Sequence, residues 1–223
     1  MPQILYQDSH LIVIIKPSGV LSQIDANGGD SIPKRLEAQG LAVKPVHRLD
    51  RAAGGVMVYA FTDKAAALLS SLVQDHTQFI KEYLAVVSGR PSEPVGEMED
   101  LLYHDVKKNK SYVVDRKRGG VKRAKLSYEL LETAQHNNGT FSLVRVRLHT
   151  GRTHQIRVQF ASRKMPLAGD SRYGGLRHCP LALWSCRVSF PHPISGETIS
   201  NRSLPDMHTF PWNMFADEQY HTI

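Results

Sequence analysis

Pro45-Val46-His47-Arg48-Leu49-Asp50 leads through a glycine pair, Gly54-Gly55, into Val56-Met57-Val58-Tyr59-Ala60-Phe61. The second run has strand length and is rich in β-branched and aromatic residues, so it predicts a buried strand with Asp50 in the loop just ahead of it. Loops held by rigid strands are where catalytic groups concentrate. An aspartate beside Arg48 and Arg51 also fits a surface ion pair of little energetic consequence. The choice between the two depends on the rest of the chain.

Strand-like segments dominate outward from there. Ile4-Leu5-Tyr6, Leu11 to Ile15, Tyr83 to Val87, Leu126 to Leu131, Phe141 to Leu148 and Ile156 to Phe160 carry β-branched or aromatic runs, several alternating with polar residues. Two helices interrupt them. Ser31 to Gln39 has Pro33 early and Gly40 beyond its end, and Asp63 to Gln74 opens on a Thr62 or Asp63 cap with Ala and Leu at helical spacing. Strands and helices do not alternate strictly, which predicts an α+β fold on a mixed, mostly antiparallel sheet with flanking helices and loops. No internal repeat or low-complexity linker divides the chain.

The 223 residues, 41% of them hydrophobic, suffice for one sizeable core, and neither disorder nor a fibrous architecture fits. Lys and Arg number 28 against 21 Asp and Glu, a net charge of +7 that favours a polyanionic partner. The two cysteines, Cys179 and Cys186, form no CxxC pair and have no histidine at zinc-ligand spacing, so reduced thiols in a cytoplasmic protein are expected, with no metal. The longest early apolar stretch, Leu11 to Ile15, is far too short for a membrane span or signal core.

Two further stretches carry chemistry. His149-Thr150-Gly151-Arg152-Thr153-His154-Gln155-Ile156-Arg157 gathers arginines, histidines and threonines around one glycine. Arginine forks grip oxyanions at two points and glycine admits a close backbone approach, although a basic solvated turn would read the same way. The tract from Lys107 to Lys125 holds Lys107, Lys108, Arg116, Lys117, Arg118, Lys122 and Arg123, with one acid, Asp115, and Gly119-Gly120 inside it. It predicts a mobile basic hairpin lying along a nucleic-acid backbone.

His47-Arg48-Leu49-Asp50, then Lys81-Glu82-Tyr83-Leu84-Ala85-Val86-Val87-Ser88-Gly89, then Thr150 to Arg157, in that order, resemble the RluA family of RNA pseudouridine synthases. Ile4 to Asp8 with Lys16-Pro17-Ser18-Gly19, Pro166 to Asp170 with Tyr173-Gly174, and Phe190 to Pro193 extend the resemblance over about residues 3 to 199. It implies a single catalytic domain over residues 1–223, with a tail from 200, and a compact form without the S4 RNA-binding module of many relatives.

The resemblance also implies roles. Asp50 is the catalytic aspartate that isomerises uridine within RNA, Arg157 the arginine that pairs with it, and Tyr83 the tyrosine that stacks on the uracil. Arg48 inserts into the RNA stack as the nucleotide swings out, Leu183 lines the uracil pocket, and His47, Arg152, Thr153, His154 and Gln155 join the basic tract in holding RNA. The rearrangement is redox-neutral and needs no metal or organic cofactor. Ribosomal RNA, transfer RNA or both are the expected substrates, a cytoplasmic monomer the expected form, and no membrane partner is expected.

The chain departs from the family pattern in places. Ala53-Gly54-Gly55 stands where relatives commonly show Thr-Ser-Gly, Gln159 where a histidine is frequent, and Trp184-Ser185 where His-Ala is common. Two other classes fit parts of the sequence. A non-catalytic RNA-binding paralogue accounts for the basic tract but not for Asp50, Tyr83 and Arg157 together. A glycoside hydrolase or nucleosidase would need a second carboxylate, and none stands out.

Overall fold

The computed structural model describes residues 2–26 and 28–221. Its strands, in chain order, are β1 (Gln3–Gln7), β2 (Leu11–Lys16), β3 (Lys44–Pro45), β4 (Gly54–Ala60), β5 (Ile80–Ser88), β6 (Val95–Asp105), β7 (Lys110–Val114), β8 (Val121–His136), β9 (Gly139–Leu148), β10 (Leu183–Pro191) and β11 (Thr198–Arg202). The helices are α1 (Ile32–Glu37), α2 (Asp63–Gln74), α3 (Gln155–Ser162) and α4 (Glu218–His221). Every pairing described below is antiparallel except β4 with β10, so the architecture is α+β with mixed pairing. The residues group into two compact units, one from Met1–Lys81 with Trp184–Pro205 and the other from Glu82–Leu183 with Asp206–Ile223.

In the first unit β4 lies between β2, antiparallel to it, and β10, parallel to it with Gly54 beside Trp184 and Gly55 beside Ser185. All seven β4 residues are buried, as expected of a strand covered on both faces. Helix α2 explains the cover. Thr62 accepts a hydrogen bond from Ala65 N–H at 3.2 Å, Asp63 favours the positive end of the helix, and Ala65, Leu69 and Val73 pack on Val56, Val58, Ala60 and Val188. Phe79 and Phe190 stack at 4.8 Å beneath them. Burying each large side chain contributes about 1.5–3 kcal/mol, which fixes the strand and with it the loop that precedes it.

In the second unit β5, β9, β8, β6 and β7 pair in that order, all antiparallel. Helix α3 covers one face, with Val158 on Leu102 and Ala124 and the Phe160 ring 5.7 Å from that of Tyr128.

Two sequence expectations fail here. Ile156 to Phe160, expected as a strand, is the body of α3. Its apolar residues alternate with Arg157 and Gln159, yet residues Gln155 to Phe160 are all buried because the polar ones have internal partners. Gln159 reaches Asp100 at 2.7 Å and Met98 O at 3.2 Å, and Arg157 reaches Asp170. A helix buried all round loses the one-sided period that betrays helices in sequence. The basic tract is also not a hairpin folded on itself: β7 and β8 lie on opposite sides of β6, each antiparallel to it.

Candidate active site

Asp50 is half-buried, in the turn ahead of β4 where Ala53 N–H donates to Asp50 O at 3.0 Å. The residues on either side of it are gripped. Leu49 N–H donates to Ser22 Oγ at 3.0 Å, and that hydroxyl donates back to Leu49 O at 2.8 Å. Arg51 O accepts from Gly19 N–H at 2.8 Å and from Lys16 Nζ at 3.2 Å, while Arg51 Nε donates to Gly19 O at 2.8 Å.

Lys16 is wholly buried at the end of β2, and its ammonium also donates to Val20 O at 2.7 Å and Pro17 O at 3.0 Å. Burial pushes its pKa down to about 8, against the upward pull of the Asp50 carboxylate. Three N–H bonds on three carbonyls leave this cation as a tie between the Lys16-Pro17-Ser18-Gly19 turn and the Asp50 loop.

His47, expected to hold RNA, serves the same loop from within. Its Nε2 accepts from Val58 N–H at 3.0 Å and its ring meets Phe79 edge-on at 5.7 Å. Burial, helped by the Lys81 ammonium, pushes its pKa down to about 3, so the imidazole is neutral and braces β4. Arg48 is exposed.

Gly54 and Trp184 account for each other. A Cβ at Gly54 would overlap the Trp184 ring, and one at Gly55, whose φ of +114° already favours glycine, would overlap the Ser185 backbone. The indole is held by Nε1–H donating to Ser203 O at 3.0 Å. The large ring at 184 therefore requires the missing side chain at 54.

In the second unit Tyr83 is buried in β5, in register with Val146. Leu183 is buried at the start of β10. The Thr150–Arg157 turn is tied to β8: Gln155 Oε1 accepts from Thr150 Oγ1 at 2.7 Å and from Arg152 N–H at 3.0 Å, and Gln155 Nε2 donates to Lys125 O at 3.0 Å. Gln155 and His154 are buried, and the hydrogen bonds of Gln155, with the 3.1 Å contact of His154 Nδ1 to Tyr173 Oη, shape the turn. His154 has a φ of 57°, a conformation that costs a non-glycine residue energy and marks the abrupt entry into α3.

Arg157 sits on the first turn of α3. Its Nε and Nη2 donate to the two carboxylate oxygens of Asp170 at 2.7 and 2.8 Å, both residues buried, and its guanidinium lies 5.2 Å from the centroid of the Tyr173 ring. The pair lies within reach of β7, because Tyr173 Oη accepts from Ser111 N–H on that strand at 2.8 Å. Arg152 Nε donates to Arg123 O at 3.0 Å. Lys107, Lys108, Arg116, Lys117, Arg118, Lys122 and Arg123 are all exposed, Arg118 lying 5.0 Å over the Tyr103 ring and Arg123 paired with Glu99 at 2.6 Å.

Lys16, Ser22, Asp170 and Tyr173 are the residues sequence reasoning passed over as participants. Lys16, Asp170 and Tyr173 lie in stretches that carry the family resemblance, whereas Ser22 left no signal in the sequence.

A family model described as RNA pseudouridylate synthase matches residues 10–162. The tRNA pseudouridine synthase C of Pasteurella multocida is 32% identical over 242 residues, covering 95% of this chain and 97% of that one. The dual-specificity RNA pseudouridine synthase RluA of Salmonella typhi is 33% identical over 204 residues, covering 88% and 90%. Among solved structures, human RNA pseudouridylate synthase domain containing 1 superposes with a TM-score of 0.78 at 19% identity, covering all of this chain and 94% of that one. The α+β fold is thus that of pseudouridylate synthase domains. The chain belongs to the RNA pseudouridylate synthase family, among its RluA-type members, and is an RNA uridine-to-pseudouridine isomerase.

Proposed function

We propose that this chain isomerises selected uridines of structured transfer or ribosomal RNA, with Asp50 as the acting carboxylate and Tyr83 and Arg157 serving the same reaction. The relatives named for transfer RNA and for dual specificity support that substrate class. In the reaction the bond from uracil N1 to ribose C1′ breaks, the ring turns, C5 bonds to C1′, and the C5 proton is lost as N1 regains one. Attack at C1′, attack at ring C6 and abstraction of a ribose proton all require an ionised, oriented carboxylate.

The observation that carries the reading is the grip on both neighbours of Asp50. Leu49 is fixed by Ser22, and Arg51 by Gly19 and Lys16, while Asp50 itself stays half-buried. A surface ion pair would need no such frame; a reacting group does, because misplacement by an ångström weakens catalysis by about 100-fold.

Arg48, Arg152, Thr153 and the exposed basic residues of the Lys107–Arg123 tract contact the RNA in this reading, with Leu183 lining the uracil pocket, and the target base is swung out of its stack. The whole chain serves as one catalytic domain, a cytoplasmic monomer. It needs no metal or organic cofactor, since the isomerisation is redox-neutral.

The test is Asp50→Asn. The variant should bind RNA as the wild type does and release no tritium from RNA labelled at uridine C5. Turnover comparable to wild type would end the assignment.

A further inference from the structure

We propose that Asp170 and Tyr173 are positioning residues for Arg157, and that Tyr173 ties the arginine to strand β7. The inference rests on the reading that Arg157 serves the reaction, and it goes beyond that reading by naming what holds the arginine in place.

Asp170 is 1% exposed and takes both nitrogens of one edge of the guanidinium, at 2.7 and 2.8 Å. This two-point fork fixes the plane of the group as well as its place, which a single bond or a lysine could not do. The carboxylate is itself held, because Arg172 N–H donates to Asp170 Oδ1 at 3.2 Å and the Asp170 backbone accepts from Tyr173 N–H at 3.2 Å and Gly175 N–H at 2.8 Å. The two charged side chains are both buried, so they are more than an ornamental ion pair.

Tyr173 supplies the second constraint. Its ring carries the Arg157 guanidinium at 5.2 Å and the Lys110 ammonium at 5.2 Å. Its hydroxyl accepts from Ser111 N–H at 2.8 Å and lies 3.1 Å from His154 Nδ1. Ser111 Oγ in turn donates to Thr153 O at 2.6 Å. One aromatic residue thus joins β7, the turn before α3 and the arginine on α3. A displacement of β7 by bound RNA has a short, rigid path to Arg157 through these bonds, and without Tyr173 the guanidinium would lose its contact with the ring.

Single-turnover tritium release at saturating enzyme, read beside the RNA dissociation constant, tests this. Asp170→Asn should slow release about 100-fold, the scale of a misplaced group, while the dissociation constant shifts less than about threefold. Tyr173→Phe, which keeps the ring and removes the hydroxyl, should slow release about tenfold, the loss expected of one hydrogen bond.

Residues that act as a unit are not additive, so Asp170→Asn combined with Arg157→Lys should be within about twofold of Arg157→Lys alone. A merely structural Asp170 would lower the melting temperature and leave the rate unchanged. A cooperatively folded Asp170→Asn enzyme within about twofold of the wild-type rate overturns the inference. If that variant does not fold, Tyr173→Phe decides by the same criterion. Arg157→Lys at the wild-type rate would remove the role given to Arg157 and the inference with it. A slow Arg157→Lys beside a fast, folded Asp170→Asn would remove the inference alone.

Discussion

Ser22 does with one hydroxyl what a loop ordinarily needs two residues to do. It accepts from Leu49 N–H and donates to Leu49 O, so the peptide units next to Asp50 are held to a residue that is 4% exposed. The Ser22 carbonyl in turn takes the Tyr59 hydroxyl of β4 at 2.8 Å, tying the brace to the strand itself. Ser22→Ala leaves a buried N–H and a buried C=O unpaired and should destabilise the fold by about 1–3 kcal/mol. The turnover rate should fall further than that loss of stability alone explains, since the freed peptide orients Asp50. Urea unfolding and tritium release on the same variant separate the two effects, and an unchanged rate would show that Leu49 does not set the carboxylate. The turn that carries Asp50 was legible in sequence because its place before an apolar run is a local fact, whereas the role proposed for the carboxylate came only with the resemblance of the motifs taken together. Ser22 was not, because its partner lies 27 residues away and nothing short of the fold brings the two together.

At the scale of elements, β4 and α2 were legible and α3 was not, for one physical reason. Helix α2 buries a single stripe, Ala65, Leu69 and Val73, at the spacing a sequence pattern can show. In α3 the polar residues are as buried as the apolar ones, and the alternation of Ile156, Val158 and Phe160 mimics a strand. Tertiary partners, not propensity, decide its form. The β4–β10 contact makes a similar point, because nothing local in the sequence shows that Gly54 and Trp184 share one space. Gly54→Ser should overpack against Trp184 and destabilise by about 1–3 kcal/mol. Trp184→His removes ring volume and the Nε1 bond to Ser203 O and should cost about 2–4 kcal/mol. The double variant should lose less than the sum, by on the order of 1 kcal/mol or more, measured as a double-mutant cycle in urea. Additive losses would mean that the two positions do not share the space.

Across the whole molecule, fold class and mixed pairing were readable because most strands carry their own pattern. The placement of β7 and β8 on opposite sides of β6 was not, since no local feature distinguishes it from a hairpin. Composition was equally blind to where the charge of +7 goes. Most cations are outside, but Lys16 and Lys81 are buried, and burial pushes each down to about 8 from an ordinary value of 10.5. Stability must therefore depend on pH in the alkaline range. Below about pH 8 both lysines are charged folded or unfolded, and the folded state carries the full penalty of enclosing them. Between about 8 and 10.5 the folded chain has released protons that the unfolded chain still binds, so stability rises with pH. Near pH 10 the opposite begins, because burial raises Tyr59 and Tyr220. These stay protonated when folded while the unfolded chain ionises, and stability falls as pH climbs further. The unfolding free energy should accordingly increase between pH 7.5 and 9.5 by on the order of 2 kcal/mol for each lysine. Lys16→Met and Lys81→Met should each remove about half of that increase. Denaturant titrations at the two pH values decide it, and a flat or falling profile in the wild type would show that the carbonyls around Lys16 compensate its burial in full.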